Sequence, residues 1–293
     1  MSFVEKALKK LQDAHSGGDN VVEPIRADVV LSAGAAGKSD KLIKIDQEAL
    51  RISGLMAPVG SERRLASEYR QIKRPLLAAA FGKGMPRLPN GRAIMVASAL
   101  PGEGKTFTSV NLAMSMALEK DTSVVLVDAD VAKPHISRTF GVENEPGLLE
   151  ILREDTRDVE SAIIPTTFRG LSILPAGRNI ETATELLASA RMEHMLAELV
   201  NRDANRIYLF DSPPLLLTSE SRVLAGAMGQ IVIVVRAEST LRRAVYEALG
   251  FLGDHPSIGL VLNQSESAPP EVYYGYGDYY SQPSSTQAGT APK

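Results

Sequence analysis

The sequence predicts an α/β protein: a doubly wound, mostly parallel sheet with flexible N- and C-terminal segments. Three observations predict it. From Ala93 to about Asn263, near-continuous apolar runs alternate with helical patterns, as strands buried on both faces of a parallel sheet require. A glycine loop, Ala99-Leu100-Pro101-Gly102-Glu103-Gly104-Lys105-Thr106, lies between an apolar run and a helical pattern. Two further apolar runs end in acids, at Asp128-Ala129-Asp130 and at Asp211-Ser212-Pro213-Pro214. In open α/β sheets ligands bind at the carboxyl ends of strands, where all three features fall.

Taken in order, residues 1–60 read as an N-terminal amphipathic helix and a flexible linker. Phe3, Val4, Ala7, Leu8 and Leu11 share one helical face, with Lys6, Lys9 and Lys10 mostly off it. That face could dock on a partner or a membrane surface, or the stretch could be a frayed terminus. The P-loop domain is expected over 61–263. It opens with a helix from Ser61 to Ala80, broken or kinked near Pro75. Strands are expected at 93–97, 123–127, 171–175, 206–210, 230–235 and 258–262. Helices are expected at 107–119, 147–153, 182–200, 220–228 and 241–252. Residues 264–293 are rich in Ser, Pro, Gly, Gln and Thr and cannot build a core, so they read as a disordered, tyrosine-rich tail.

The glycine loop carries the first chemistry. Successive backbone N–H groups and a helix N-terminus converge on phosphate oxygens. Gly102, Glu103, Gly104, Lys105, Thr106 and Phe107 are therefore the expected nucleotide cradle. Lys105 would reach the β/γ-phosphates and Thr106 would offer its hydroxyl to Mg²⁺. The loop departs from G-x-x-x-x-G-K-[ST] at its first position, where Ala99 stands. Magnesium takes one or two carboxylates beside phosphate oxygens, which suits the strand-end aspartates. Thr106, Asp128 and Asp211 are the expected metal residues; Lys105, Asp128 and Asp130 are the expected catalytic ones. Asn263, at the end of the last strand, could contact adenine or serve as a polar strand-end cap.

Composition bounds the rest. A formal net charge of −3 gives no basic footprint for nucleic acid. The chain has no cysteine, which excludes disulfides and thiolate-held metals. No metal-ligand spacing links His15, His135, His194 and His255. No apolar run reaches the ~18 residues that span a bilayer, and no signal-peptide core opens the chain. A soluble cytoplasmic protein is expected.

The glycine loop, the strand ending Asp128-Ala129-Asp130 and the strand ending Asp211-Ser212-Pro213-Pro214 together resemble the bacterial tyrosine kinases of polysaccharide export. These are P-loop kinases similar in fold to the MinD/ParA ATPases. The likeness covers roughly residues 60–280. Ala66-Ser67-Glu68-Tyr69-Arg70-Gln71-Ile72-Lys73-Arg74-Pro75-Leu76-Leu77, the opening Met1-Ser2-Phe3-Val4-Glu5-Lys6-Ala7-Leu8 and the glycine–tyrosine tail look like the stand-alone, exosortase-associated autokinases. The resemblance implies Walker A at Lys105 and Thr106, Walker A′ at Asp128 and Asp130, and Walker B at Asp211. It implies ATP and Mg²⁺ as cofactors, a ring-like homo-oligomer, and a membrane chain-length-determinant protein as partner. That partner would recruit the chain to the inner face of the plasma membrane. The chain departs from the family at Val131-Ala132-Lys133-Pro134, where relatives carry Leu-Arg-Lys-Pro, and at Ser67, where the E-x-x-R-x-x-R helix, linked to subunit contact, has its glutamate; Arg70, Lys73 and Arg74 read as a subunit contact or a solvated helix face.

Five of the 8 tyrosines lie within residues 273–280: Tyr273, Tyr274, Tyr276, Tyr279 and Tyr280. Intervening glycines keep such a segment extended and able to enter a site. They are the expected phosphoacceptors, in trans, of an autokinase that regulates polysaccharide polymerisation and export. A sticky low-complexity tail is the bland alternative. A MinD/ParA-like ATPase switch competes as a function. It is opposed by the tyrosines and by Ala99, Leu100 and Pro101, where such switches carry an extra lysine. A third reading is a binding protein whose ATP site only regulates assembly.

Overall fold

A computed structural model describes residues 29–31 (backbone only), 41–84, 86–154, 158–178 and 180–265. The amphipathic stretch at 1–12 and the tyrosines at 273–280 lie outside the described residues.

Seven strands form the central sheet in the order β5-β6-β4-β7-β3-β8-β9. They are β3 (Ala93–Ser98), β4 (Ser123–Asp128), β5 (Ile164–Pro165), β6 (Leu171–Leu174), β7 (Arg206–Asp211), β8 (Gln230–Arg236) and β9 (Ile258–Asn263). All pairs are parallel except β5 with β6. The six strands read from the sequence are all present. Their side chains alternate between two cores, as a period of two demands. Met95, Val125, Val127, Tyr208 and Phe210 enter one; Ile94, Val96, Val124, Leu126 and Leu209 enter the other. Both faces of the inner strands are covered, which is why their polar residues fall mostly at their ends.

The covering helices are α1 (Gln47–Ile52), α2 (Glu62–Phe81), α3 (Lys105–Ala117), α4 (His135–Thr139), α5 (Leu148–Arg153), α6 (Ala183–Leu187), α7 (Ala190–Arg202), α8 (Ser219–Ala227) and α9 (Arg242–Leu252). Four differences from the sequence reading have physical causes. Helix α2 runs unbroken through Pro75. It is held by buried Tyr69, Leu76, Ala79 and Ala80 and by the Gln230 amide, which donates to Leu76 O at 3.0 Å. The helix expected over 182–200 is two, because Ser189 takes an extended conformation and its hydroxyl bonds back to Leu186 O at 2.6 Å. The packed domain begins before residue 61. Strand β2 (Lys41–Ile43) and α1 place Ile43 and Leu50 in the core, and Asp46 caps α1 through Glu48 N and Ala49 N at 2.9 and 3.2 Å. Strand β1 (Val29–Leu31) pairs antiparallel with β2.

Lys73 is the fourth difference. The sequence offered it as part of a solvated or subunit-contacting face. It is instead 4% exposed, donating to Ser115 O at 2.6 Å and pairing with Glu119 at 2.7 Å. It ties α2 to the end of α3 within one chain. No helix among the described residues is long and apolar enough to cross a membrane.

Candidate active site

The site is built where β3 gives way to α3. Gly102 and Gly104 take φ of 77° and 93°, the left-handed region that favours glycine. Gly104 has a second constraint: a Cβ there would stand 2.0 Å from the Asn263 amide nitrogen. Ala99 needs no such freedom, since it has no positive φ and is fully buried in one core. That is why alanine serves at the loop's first position.

Side chains brace the loop from below. Glu103 is 2% exposed. One carboxylate oxygen accepts from Leu100 N at 2.7 Å and the other from the Thr240 hydroxyl. The Asn263 amide donates to Glu103 O at 2.9 Å. Glu103 therefore serves the cradle by shaping it, with its carboxylate turned inward. Asn263 thus ties β9 to the loop, and the residue also lines the cleft.

Behind the loop stand the aspartates. Asp128 and Asp211 end adjacent strands and are direct register partners. Asp211 accepts from Thr106 Oγ1 at 2.8 Å and Ser109 Oγ at 2.9 Å. Burial pushes its carboxyl up to about 6, against the lowering effect of those hydroxyls. Asp128 is pushed further, to about 8, by burial. The backbone N–H and hydroxyl of Ser137 both donate to its Oδ2 at 2.7 Å, and its buried Oδ1 has no partner among the described residues. Burial also raises Asp130, which accepts from Lys133 N at 3.1 Å.

A cleft of about 950 Å³ opens above these groups, lined among others by Gly104, Lys105, Thr106, Asp130, Lys133 and Asn263. Its size suits a nucleotide. Asp128 and Asp211 lie under this lining rather than in it. Of the three expected metal residues, only Thr106 faces the cleft directly, with Asp211 directly behind its hydroxyl. Phe107 lines the cleft and packs on one core. The donor set fits a magnesium nucleotide: a hydroxyl, carboxylates one layer behind it, an orphaned buried oxygen, and a loop only glycine can shape.

Sequence reasoning missed Ser109, Ser137 and Thr240. Ser109 was legible, because it follows Thr106 by three positions and shares its helix face. Ser137 and Thr240 had no local signal, since a turn and a long chain excursion bring them to Asp128 and Glu103.

The model of the family described as "AAA domain" matches residues 91–245. Tyrosine-protein kinase YwqD of Bacillus subtilis is 28% identical over 214 residues, covering 72% of this chain and 86% of that protein. EpsB of Ralstonia nicotianae is 31% identical over 204 residues, or 68% of this chain, and the chain spans only 26% of its length. Among solved structures, the VpsO kinase domain superposes with a TM-score of 0.57 at 29% identity, over 71% of this chain and all of that one. The resemblance drawn from the motifs holds at the level of family and fold.

Proposed function

The chain belongs to the AAA domain family, and from that premise we propose that it is an ATP-dependent protein-tyrosine kinase. Its substrates in this reading are the tyrosines of its own tail, Tyr273, Tyr274, Tyr276, Tyr279 and Tyr280, modified in trans. The observation that carries the reading is the pairing at the head of α3. There a buried carboxylate, Asp211, holds the Thr106 hydroxyl at the mouth of a glycine-shaped loop. YwqD, which the chain matches over most of its length, is named for the same activity.

Each residue has a stated part. The amides of Gly102, Glu103 and Gly104 receive phosphate oxygens, and Lys105 offsets the charge that spreads over the transferred group. Thr106 and Asp211 would hold Mg²⁺, which would supply positive charge against that of the phosphates. The phenol oxygen bonds to the γ-phosphorus as the bond to the β-phosphate oxygen breaks, and ADP leaves. The phenolic proton, of pKa ~10 in water, passes to Asp128. Asp130 and Lys133 flank the entering tyrosine, where Ala132 leaves the space that an arginine fills in relatives.

In the cell this reading makes the chain a regulator of polysaccharide polymerisation and export. It would form a ring-like homo-oligomer, held at the inner face of the plasma membrane by a chain-length-determinant protein. The test is incubation of the purified chain with Mg-ATP and mapping of phosphate by mass spectrometry, with Lys105→Met as control. Phosphotyrosine within 273–280 that disappears in the control is the expected result. ATP hydrolysis without protein phosphate would replace the kinase with an ATPase switch. Absence of both would leave a nucleotide-regulated binding protein.

A further inference from the structure

The central sheet ends differently at its two edges. Beyond β5, strand β2 continues it: the Ile43 carbonyl accepts from Thr167 N at 2.8 Å, and Ile43 bridges Thr166. At the other edge β9 is outermost, and no described residue pairs with its outer side. Its sequence, Ile258-Gly259-Leu260-Val261-Leu262-Asn263, carries no charge and no proline, the usual guards of a free edge.

The ladder says which groups are free. Ser257 O and Asn263 O accept from Ile231 N and Ala237 N, on the β8 side. By alternation, the N–H and C=O groups of Ile258, Leu260 and Leu262 turn outward. The side chains of these three residues share the face covered by α9. Ile258 packs partly into that core, while Leu260 and Leu262 stay 59% and 62% exposed. A bare polar edge and an apolar strip therefore coincide on one strand.

We propose that Glu271–Tyr276 of the same chain adds to β9 as an antiparallel strand. The chain leaves β9 through Gln264, whose φ of 56° begins a reversal. Pro269 and Pro270, which cannot donate to a ladder, fall in the connection, and Val272, Tyr273, Tyr274 and Tyr276 are strong strand formers. Six residues span about 20 Å, the length of β9. Leu262 then opposes Val272, Leu260 opposes Tyr274, and Ile258 opposes Tyr276. This register satisfies the outward backbone groups and covers both leucines with aromatic and branched side chains. A short connection gives the tail an effective concentration of about a millimolar, which favours it over a second copy. The N-terminal segment attaches through β1, beyond the opposite edge. A phosphate on Tyr274 or Tyr276 would bring about −2 charges onto the leucines, so the paired state belongs to the unmodified tail.

The pairing needs no nucleotide and stands apart from the kinase reading. Amide hydrogen exchange is followed by NMR on the full, nucleotide-free chain at two concentrations, beside a Val272→Pro/Tyr274→Pro variant whose changes lie outside the packed domain. The expected result is exchange at Leu260 and Leu262 at least about tenfold slower in the parent chain at both concentrations, with Gly259 and Val261 alike in both proteins. Equal rates at Leu260 and Leu262 in the two proteins would overturn the proposal. So would protection that survives the prolines and grows with concentration, which would give the edge to a second copy.

Discussion

At the carboxyl ends of the central strands Asp128 and Asp211 are buried; at the amino ends Arg92 and Gln230 are buried as deeply. The two ends meet the cost of burial with different partners. Below, main-chain carbonyls supply the partners, save for Arg92 Nε, which has none among the described residues. Arg92 donates to the carbonyls of Val200 and Asp203, and Gln230 donates to those of Leu76 and Gly91. Above, hydroxyls and one backbone N–H meet part of the demand, and burial lifts both carboxyls out of their ordinary range. The lower end closes the fold with its own main chain. The upper end keeps acceptors that a cation and a phosphate can complete. One sheet thus carries its stability at one end and its chemistry at the other, as buried polar groups in a low-dielectric interior permit.

The sharpest way to break this contrast is Asp211→Asn. Removing the charge behind Thr106 should lower phosphate transfer about 100-fold, while the thermal midpoint stays the same or rises. Phosphotyrosine mass spectrometry and calorimetry read the two effects. A fall in both would place a structural duty at the upper end.

Arg92→Met is the converse change. It strands one buried and one half-buried carbonyl and should cost about 1–3 kcal/mol, seen as a lower urea midpoint. Nucleotide affinity of the folded fraction should be unchanged. Weakened affinity at full folding would mean that the two ends are coupled.

The third test uses pH on the metal- and nucleotide-free chain. The Asp128 carboxyl stands at about 8 when folded and near 3.8 when unfolded, so the folded state holds its proton more tightly. Its contribution is fully present below pH 4, falls as pH rises towards 8, and is flat above. Asp211 adds a shorter fall that ends near 6. Asp128→Asn should remove most of this slope, and its advantage over the parent in urea midpoint should be greater at pH 8 than at pH 5. An advantage that stays constant between those values would remove the buried, neutral carboxyl from the account.

Much of the upper end was legible in the chain. A glycine loop needs its glycines, and a strand buried on both faces keeps its polar residues mostly at its ends. Lys105, Thr106, Asp128 and Asp211 could therefore be found one at a time. Their partners could not. Ser137 and Thr240 are ordinary residues until the fold brings them to Asp128 and Glu103. Lys73 looked like surface because a lysine on an amphipathic helix usually is. It became interior because the end of α3 offers it a carbonyl and a glutamate.

By itself the sequence determined the order of strands along the chain, the position of the phosphate loop and the acids at two strand ends. Each follows from periodicity or from the backbone freedom of particular residues, which are local properties. The tertiary structure alone decided which strands are neighbours, that β2 and α1 belong to the packed domain, and that β9 is left as an edge. It also decided that Glu103 and Asn263 brace the loop. These depend on contacts between residues far apart in the chain, where burial and hydrogen-bond satisfaction, not local preference, select the partner.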